Sequence, residues 1–200
     1  MKKLALVLFA GISFATAHAQ VQFGVKAGGN FATQTGSDAG DSKTLFNFNA
    51  GAFVRLPIAP GIGLQPELVY SGQGADYDLG SNGTLHEHAN YLNIPILFKW
   101  SHRSGPYFET GPQVGFLLSA HIHYSDGTSI NSKVAYKSAD FGWVFGIGYK
   151  IPQSPVGIDF RYNVGLSNIE DPNAGNRAIR NDVLQLGLTY VLFNGPRMRR

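Results

Sequence analysis

The sequence predicts an all-β protein, specifically an eight-stranded antiparallel up-and-down transmembrane β-barrel. Three features lead to this prediction: large apolar side chains alternate with small or polar ones, eight segments show this alternation, and the connections between them are alternately long and short. Residues 141–166 show the alternation best. A side-chain period of two is typical of β-strands, and the proline-rich gap at 152–155 predicts a hairpin turn between two of them.

The two faces of this hairpin differ in a way that favours a membrane barrel. One face carries Phe141, Trp143 and Phe145 at successive alternate positions, whereas glycines with an occasional Lys, Asp or Arg dominate the other face. In a small membrane barrel the outward face contacts lipid, and the inward face is small or polar. We therefore predict that the aromatic face points to lipid and the glycine-rich face points to the lumen.

The same alternation divides the rest of the chain into strands of similar length. We predict strands at residues 21–32, 45–56, 62–71, 91–100, 107–118, 141–151, 156–166 and 183–193. Short turns are predicted at 57–61, 101–105 and 152–155.

Four longer polar connections alternate with these turns. They cover about 33–44, 72–89 with a turn tip at 80–83, a stretch after the fifth strand with the hairpin motif Asp126-Gly127, and 168–181. Outer-membrane barrels combine short periplasmic turns with longer extracellular loops. An even number of strands then places both chain ends in the periplasm.

Three prolines, Pro66, Pro95 and Pro112, lie inside predicted strands. Because proline has no backbone N–H, each removes a donor from the ladder of hydrogen bonds. We expect bulges or water-satisfied breaks at these positions.

The first residues predict an exported protein. Lys2 and Lys3 precede an apolar run at 4–14, and Ala17-His18-Ala19 follows it, which are the features of a secretory signal peptide cleaved after Ala19. The apolar run is too short to span a bilayer as a helix. The predicted organisation is a signal peptide at 1–19, a barrel domain at 20–193 and a basic tail at 194–200.

Composition argues against several classes of function. The net charge is +3, but without Lys2 and Lys3 the chain has 14 basic residues (16 minus 2) and 13 acidic ones, so charge gives no argument for nucleic-acid binding. The absence of cysteine removes disulfides and thiolate metal sites. No phosphate-loop, kinase or dinucleotide motif is present. We expect neither a cofactor nor enzyme activity.

Eight charged residues fall on the predicted inward face. They are Lys26, Arg55, Glu67, Lys99, Glu109, Lys150, Asp159 and Arg161. Charges in a narrow lumen have to pair or remain hydrated. Since side chains mostly fill the interior of an eight-stranded barrel, we predict a salt-bridged polar plug, with a selective pore as the alternative.

Large aromatic residues cluster toward the predicted strand ends, as expected for girdles at the two membrane interfaces. They are Tyr70, Tyr91, Trp100, Tyr107, Trp143, Tyr149, Tyr162, Tyr190 and Phe193.

Two histidine pairs lie in or beside the predicted loops. Alternate histidines on a strand share a face, so His86 with His88, or His121 with His123, could chelate a metal ion, although such loop pairs are more often solvated. Ser125 with one of the latter histidines and Glu87 could form a catalytic triad only if the fold brought them together. No nucleophile motif surrounds the serine.

Several motifs resemble the porin-like outer-membrane β-barrel family that includes the PorT-like proteins. Residues 91–99, with the sequence YLNIPILFK, are similar to a central strand of that family. Residues 105–120 and the regions beginning at Asp140-Phe141-Gly142 and Arg161-Tyr162-Asn163 are also similar. The resemblance covers about residues 21–193 and implies an outer-membrane barrel, without catalytic residues. The family often ends at an aromatic residue, whereas here Phe193 is followed by 194–200.

Taken together, these features predict an integral protein of the Gram-negative outer membrane with a structural or surface-interaction role through its long extracellular loops. The alternatives are a narrow porin for small solutes, a lipid-active barrel enzyme and a soluble lipocalin-like periplasmic carrier, whose apolar face would point inward. Expected partners are outer-membrane lipid and extracellular ligands or envelope proteins, but not nucleic acid. We expect a monomer.

Overall fold

We describe the fold from a computed structural model covering residues 20–37, 39, 42–78, 83–125, 127–172 and 178–195. The predicted signal peptide at 1–19 and the last five residues of the predicted tail lie outside these ranges, as do Asp126 and the tip residues 80–82. In the part of the chain that is described, no helix is long and apolar enough to cross a membrane.

Eight long strands form the architecture. They are β1 (Gln22–Thr35), β2 (Leu45–Ala59), β3 (Ile62–Asp78), β4 (Thr84–Ser101), β5 (Pro106–Tyr124), β6 (Ala139–Lys150), β7 (Val156–Gly165) and β8 (Arg180–Asn194). Two short strands, Ser42–Lys43 and Ser129–Asn131, add to β3 and β5, and a single 3₁₀ turn spans Lys133–Ala135.

The eight strands close into a barrel. Each pairs antiparallel with its neighbour in the sequence, and β1 pairs with β8 from Gln22 opposite Asn194 to Thr35 opposite Arg180. Closure leaves no bare edge among these strands, which a hydrocarbon environment requires. The predicted eight-stranded up-and-down barrel is therefore confirmed.

The apolar face points outward. Phe141, Trp143 and Phe145 are 56%, 37% and 48% exposed, whereas Val144 between them is 1% exposed. The Trp143 indole N–H donates to the Thr110 hydroxyl (2.8 Å), which satisfies this polar atom on an otherwise apolar wall. A lipocalin-like carrier would have this face inside, so the structure contradicts that alternative.

The two ends of the barrel differ. The turn end carries residues 20–21, Gly195 and the short turns after β2, β4 and β6. The loop end carries the four other connections, and there the structure corrects a prediction. Residues 72–78 and 84–89, predicted as part of a loop, are strand, because β3 and β4 stay paired up to Asp78 opposite Thr84. The alternation of apolar and polar residues is weak in these parts of β3 and β4 because their outward residues are also polar.

The prolines do not produce bulges. Pro66 pairs with Ile96, and pairing resumes in the same register at Val69 opposite Asn93, so the ladder is interrupted but not shifted. The register shifts lie elsewhere, at Phe23/Gly24, Pro57/Ala59 and Asn90/Tyr91.

Two of the predicted girdle aromatics are inside the barrel. Tyr91 is fully buried and Tyr107 is 5% exposed, so both belong to the lumen. Successive residues of a strand point to opposite faces, so Tyr91 and Tyr107 point into the lumen because their neighbours Leu92 and Phe108 point outward.

Candidate functional site

The lumen is the best-defined site of the molecule, and its wall is built to make room for charge. Three of the six inward positions on β6 are glycine. A Cβ atom added at Gly146 would lie 2.8 Å from Glu109 Cγ and 3.1 Å from Arg161 Cγ. The glycines of this strand therefore leave the space that the long charged side chains of the two neighbouring strands, β5 and β7, occupy.

Six of the eight predicted lumen charges form one buried network. Arg161 on β7 is at its centre, because its guanidinium donates to both carboxylate oxygens of Glu67 on β3 (2.7 and 2.8 Å). Its Nε lies 2.6 Å from Glu109 Oε1 and 3.6 Å from Asp159 Oδ1. One arginine thus contacts all three carboxylates.

Two lysines complete this network. Lys99 Nζ lies 2.9 Å from Glu109 Oε2 and 3.5 Å from the centre of the Tyr107 ring. Lys26 Nζ lies 3.8 Å from Glu67 and 3.7 Å from Asp159. Three basic and three acidic groups balance in charge, and all six residues are at most 5% exposed. Pairing compensates for the loss of water around buried charges.

The other two predicted charges, Arg55 and Lys150, stay outside the network. Arg55 donates to the Ser101 hydroxyl (2.8 Å), and neither residue forms an ion pair with any described residue. Both line a cavity of about 470 Å³ at the turn end, whose wall also includes Gln65 and Lys99.

A layer of amide side chains lies above the network, toward the loop end. Asn30 is its centre: its side chain donates to Ser71 (3.0 Å) and accepts from Asn49 (2.7 Å) and Gln185 (2.9 Å). The alternation of the strands places these residues on the inward face. The signal in the sequence is a neutral polar residue at an inward position near a predicted lumen charge, as Asn30 is two inward positions beyond Lys26.

A second cavity, of about 270 Å³, opens at the loop end. Apolar side chains such as Leu85, Ile122 and Ile169 line it together with Glu87 and Glu170. Neither lysine nor arginine is among the described residues that line it.

The four histidines lie together on the outer surface of the loop end. His86 pairs across strands with His123, and His88 with His121. The ring centres of His88 and His123 are 5.5 Å apart, and His86 Nδ1 is 2.7 Å from Asp76 Oδ1. Burial lowers the pKa of His88, and the neighbouring His123 lowers it further. The polar outward residues place this part of the hairpin beyond the apolar belt.

This geometry separates the members of the imagined triad. Glu87 is in the lumen, where it accepts from Gln34 (3.0 Å), while the histidines are on the outer surface. The Ser125 hydroxyl donates to the Thr84 carbonyl (2.8 Å). Within the described ranges, no group of three or more His, Cys, Asp or Glu residues is placed to hold a metal ion.

Comparison with solved structures places the fold among known barrels. Neisserial surface protein A (NspA) superposes with a TM-score of 0.52 at 16% identity, covering 84% of this chain and 96% of that one. OprG from Pseudomonas aeruginosa gives a TM-score of 0.49 at 14% identity, covering 88% and 97%. Ail, the attachment invasion locus protein of Yersinia pestis, gives 0.48 at 13% identity, covering 88% and 99%.

Comparison with curated proteins finds no match. The sequence pattern of the family described as "Outer membrane protein beta-barrel domain" matches residues 9–171, which is most of the chain and includes β1 to β7. The fold, the outward apolar face and this match agree with the resemblance found in the sequence. The chain belongs to the outer membrane protein beta-barrel domain family.

Proposed function

We propose that this outer-membrane protein is a closed barrel that acts through its loop end, as a surface-interaction protein, and that it conducts no solutes. The observation that carries the proposal is the Arg161 network. It joins β3, β5 and β7 across the lumen, and its charged groups are almost completely buried. The two cavities lie on opposite sides of this network.

The loop end supplies the surface for interaction. The paired extension of β3, β4 and β5 holds its backbone by ladder hydrogen bonds up to Asp78, Thr84 and Tyr124. A rigid scaffold of this kind holds the loops that it carries in fixed positions for recognition. Beside it, Ile130 and Val134 are 49% and 88% exposed, and they offer apolar contacts to a partner.

Under this proposal the loop end faces the cell exterior and the chain termini lie in the periplasm. An epitope inserted at residues 80–82 should be labelled by antibody on intact cells. A matched epitope at 152–155, in the short turn between β6 and β7, should be labelled only after the outer membrane is permeabilised. The reverse pattern would show that the orientation is wrong.

Conductance in planar bilayers tests the closed lumen. The refolded protein should give no stable channel, because the network side chains around Glu67 and Glu109 are almost completely buried from water. A steady conductance in protein of verified fold would contradict the proposal and favour the narrow-pore alternative.

We also propose that the barrel is not an enzyme, because the residues of the imagined triad lie apart and support no lipid chemistry.

A further inference from the structure

The turn-end cavity combines an excess of positive charge with room for a small ligand. Three acidic and three basic groups of the eight lumen charges form the network. The positive charges of Arg55 and Lys150 therefore have no acidic partner in it. Arg103 adds a third cation at the rim, and neither Asp nor Glu is among the described residues that line the cavity.

The chemistry of Arg55 points to a missing partner. The side chain is half-buried, its Nη2 donates to the uncharged Ser101 hydroxyl, and no carboxylate among the described residues forms an ion pair with it. A guanidinium presents its donors in a planar fork that matches the oxygens of a phosphate group. Lys150, on the wall of the same cavity, supplies a second positive charge.

From these observations we infer that the turn-end cavity binds a phosphate monoester. Its dianion would balance the two excess cations, Arg55 and Lys150. The Gln22 amide and the Thr189 hydroxyl also line the cavity and can donate to phosphate or to an attached polar group. A volume of about 470 Å³ lies within the range of small-molecule sites and accommodates more than a bare phosphate ion. The inference does not depend on which end faces the cell exterior.

Titration calorimetry of the refolded barrel in neutral detergent tests the site, with glycerol phosphate as the probe. Arg55→Gln and Lys150→Gln should each weaken binding by about tenfold, since each removes a charged donor. Lys150→Arg should retain it. Lys43→Gln is the matched control, because it removes one positive charge from the exposed loop end and should leave affinity unchanged.

Two further outcomes separate the cavity from general charge attraction. If Lys43→Gln weakens binding as much as Lys150→Gln, or if wild type does not bind the probe, the inference is wrong. Deletion of residues 196–200 should leave affinity within about twofold. If this deletion abolishes binding while the cavity variants retain it, the basic tail is the binder and the cavity is not. Should Arg55→Gln not refold, Lys150→Gln decides alone.

The phosphate could come from a free metabolite or from a lipid headgroup. Native mass spectrometry distinguishes these two sources. The barrel is placed in nanodiscs that contain phosphatidylcholine and phosphatidic acid, and it is then released in the mass spectrometer. Retained phosphatidic acid that is lost in the Arg55→Gln/Lys150→Gln variant assigns the site to a lipid. Binding of glycerol phosphate without retained lipid assigns it to a free ligand. Retention of neither ligand overturns the inference.

Discussion

Arg161 is the residue on which the stability of the lumen network depends most directly, because it alone among the network residues contacts all three of its carboxylates. Arg161→Met keeps most of the side-chain length but removes its charge. Three carboxylates would then face only two ammonium groups, in a place that water barely reaches. Removing one partner of a buried ion pair costs about 3–5 kcal/mol.

The contacts with Glu67 account for much of this loss. Arg161 makes two aligned hydrogen bonds to that carboxylate, at 2.7 and 2.8 Å, and bonds to charged groups contribute roughly 1.5–3 kcal/mol each. We therefore expect the free energy of unfolding to fall by about 4 kcal/mol. With a urea dependence of about 2 kcal/mol per molar, the unfolding midpoint should fall by about 2 M.

The assay is urea unfolding and refolding in phosphatidylcholine vesicles, followed by heat-modifiable gel mobility. Arg161→Lys should give an intermediate loss, because it keeps the charge but not the two-pronged bond. Lys150→Gln, which breaks no ion pair, should stay within about 0.5 kcal/mol of wild type.

A double-mutant cycle makes the test specific to the pair. The loss in Glu67→Gln/Arg161→Met should be smaller than the sum of the single losses by at least about 1 kcal/mol, because the second substitution removes a charge that the first left unpaired. Additive losses, or a loss below about 1 kcal/mol for Arg161→Met itself, would refute the reasoning about the network.

Three other predictions follow from the wall and the loop end. Phe145→Arg on the outward face should lower the free energy of unfolding in vesicles by about 2–4 kcal/mol, whereas Ile151→Arg near the turn end should lower it by about 1 kcal/mol or less. Equal losses for the two variants in urea unfolding would contradict a lipid-facing belt. Gly146→Ala should lower the free energy of unfolding by about 1–3 kcal/mol in the same assay, because the added Cβ meets the Glu109 and Arg161 side chains. Gly29→Ala should cost less, because its Cβ meets only the outward Phe46 ring. The opposite order of losses would be evidence against a packed lumen. Because the pKa of His88 is lowered in the folded state, the unfolded hairpin binds protons more readily, so the local stability of 84–90 should fall as pH falls from about 7 to about 5. The amide protection factors of 84–90, which are exchange rates corrected for the intrinsic rate at each pH, should therefore decrease over this range, and they should decrease less in His88→Gln.

Much of the barrel was predictable because a strand assigns its side chains to faces by simple alternation. Phe141, Trp143 and Phe145 were placed outside, and Arg161 inside, from their positions in that alternation alone. For Tyr91 and Tyr107 two signals disagree, because their places near strand ends predict the girdle whereas the alternation predicts the lumen. Both lie in the lumen, as the alternation requires.

The partners within the lumen could not be predicted. Arg161 meets Glu67 across the barrel, between strands that are not neighbours, and this depends on the tilt and stagger of the closed sheet. The sequence carries no local pattern for that distance. The extension of β3 and β4 was missed for another reason: beyond the belt the outward positions face water, so Asp76, His86 and His88 resemble loop residues although their backbones remain paired.

Closure of β1 onto β8 has a consequence for biogenesis. The seam joins Gln22 to Asn194, so it cannot form until nearly the whole polypeptide has been delivered. Until then both seam strands expose unsatisfied backbone groups that invite intermolecular pairing. Closing so large a loop is also entropically slow. Closure is therefore expected late in folding, and intermolecular pairing through β1 or β8 should compete with it until the two strands meet.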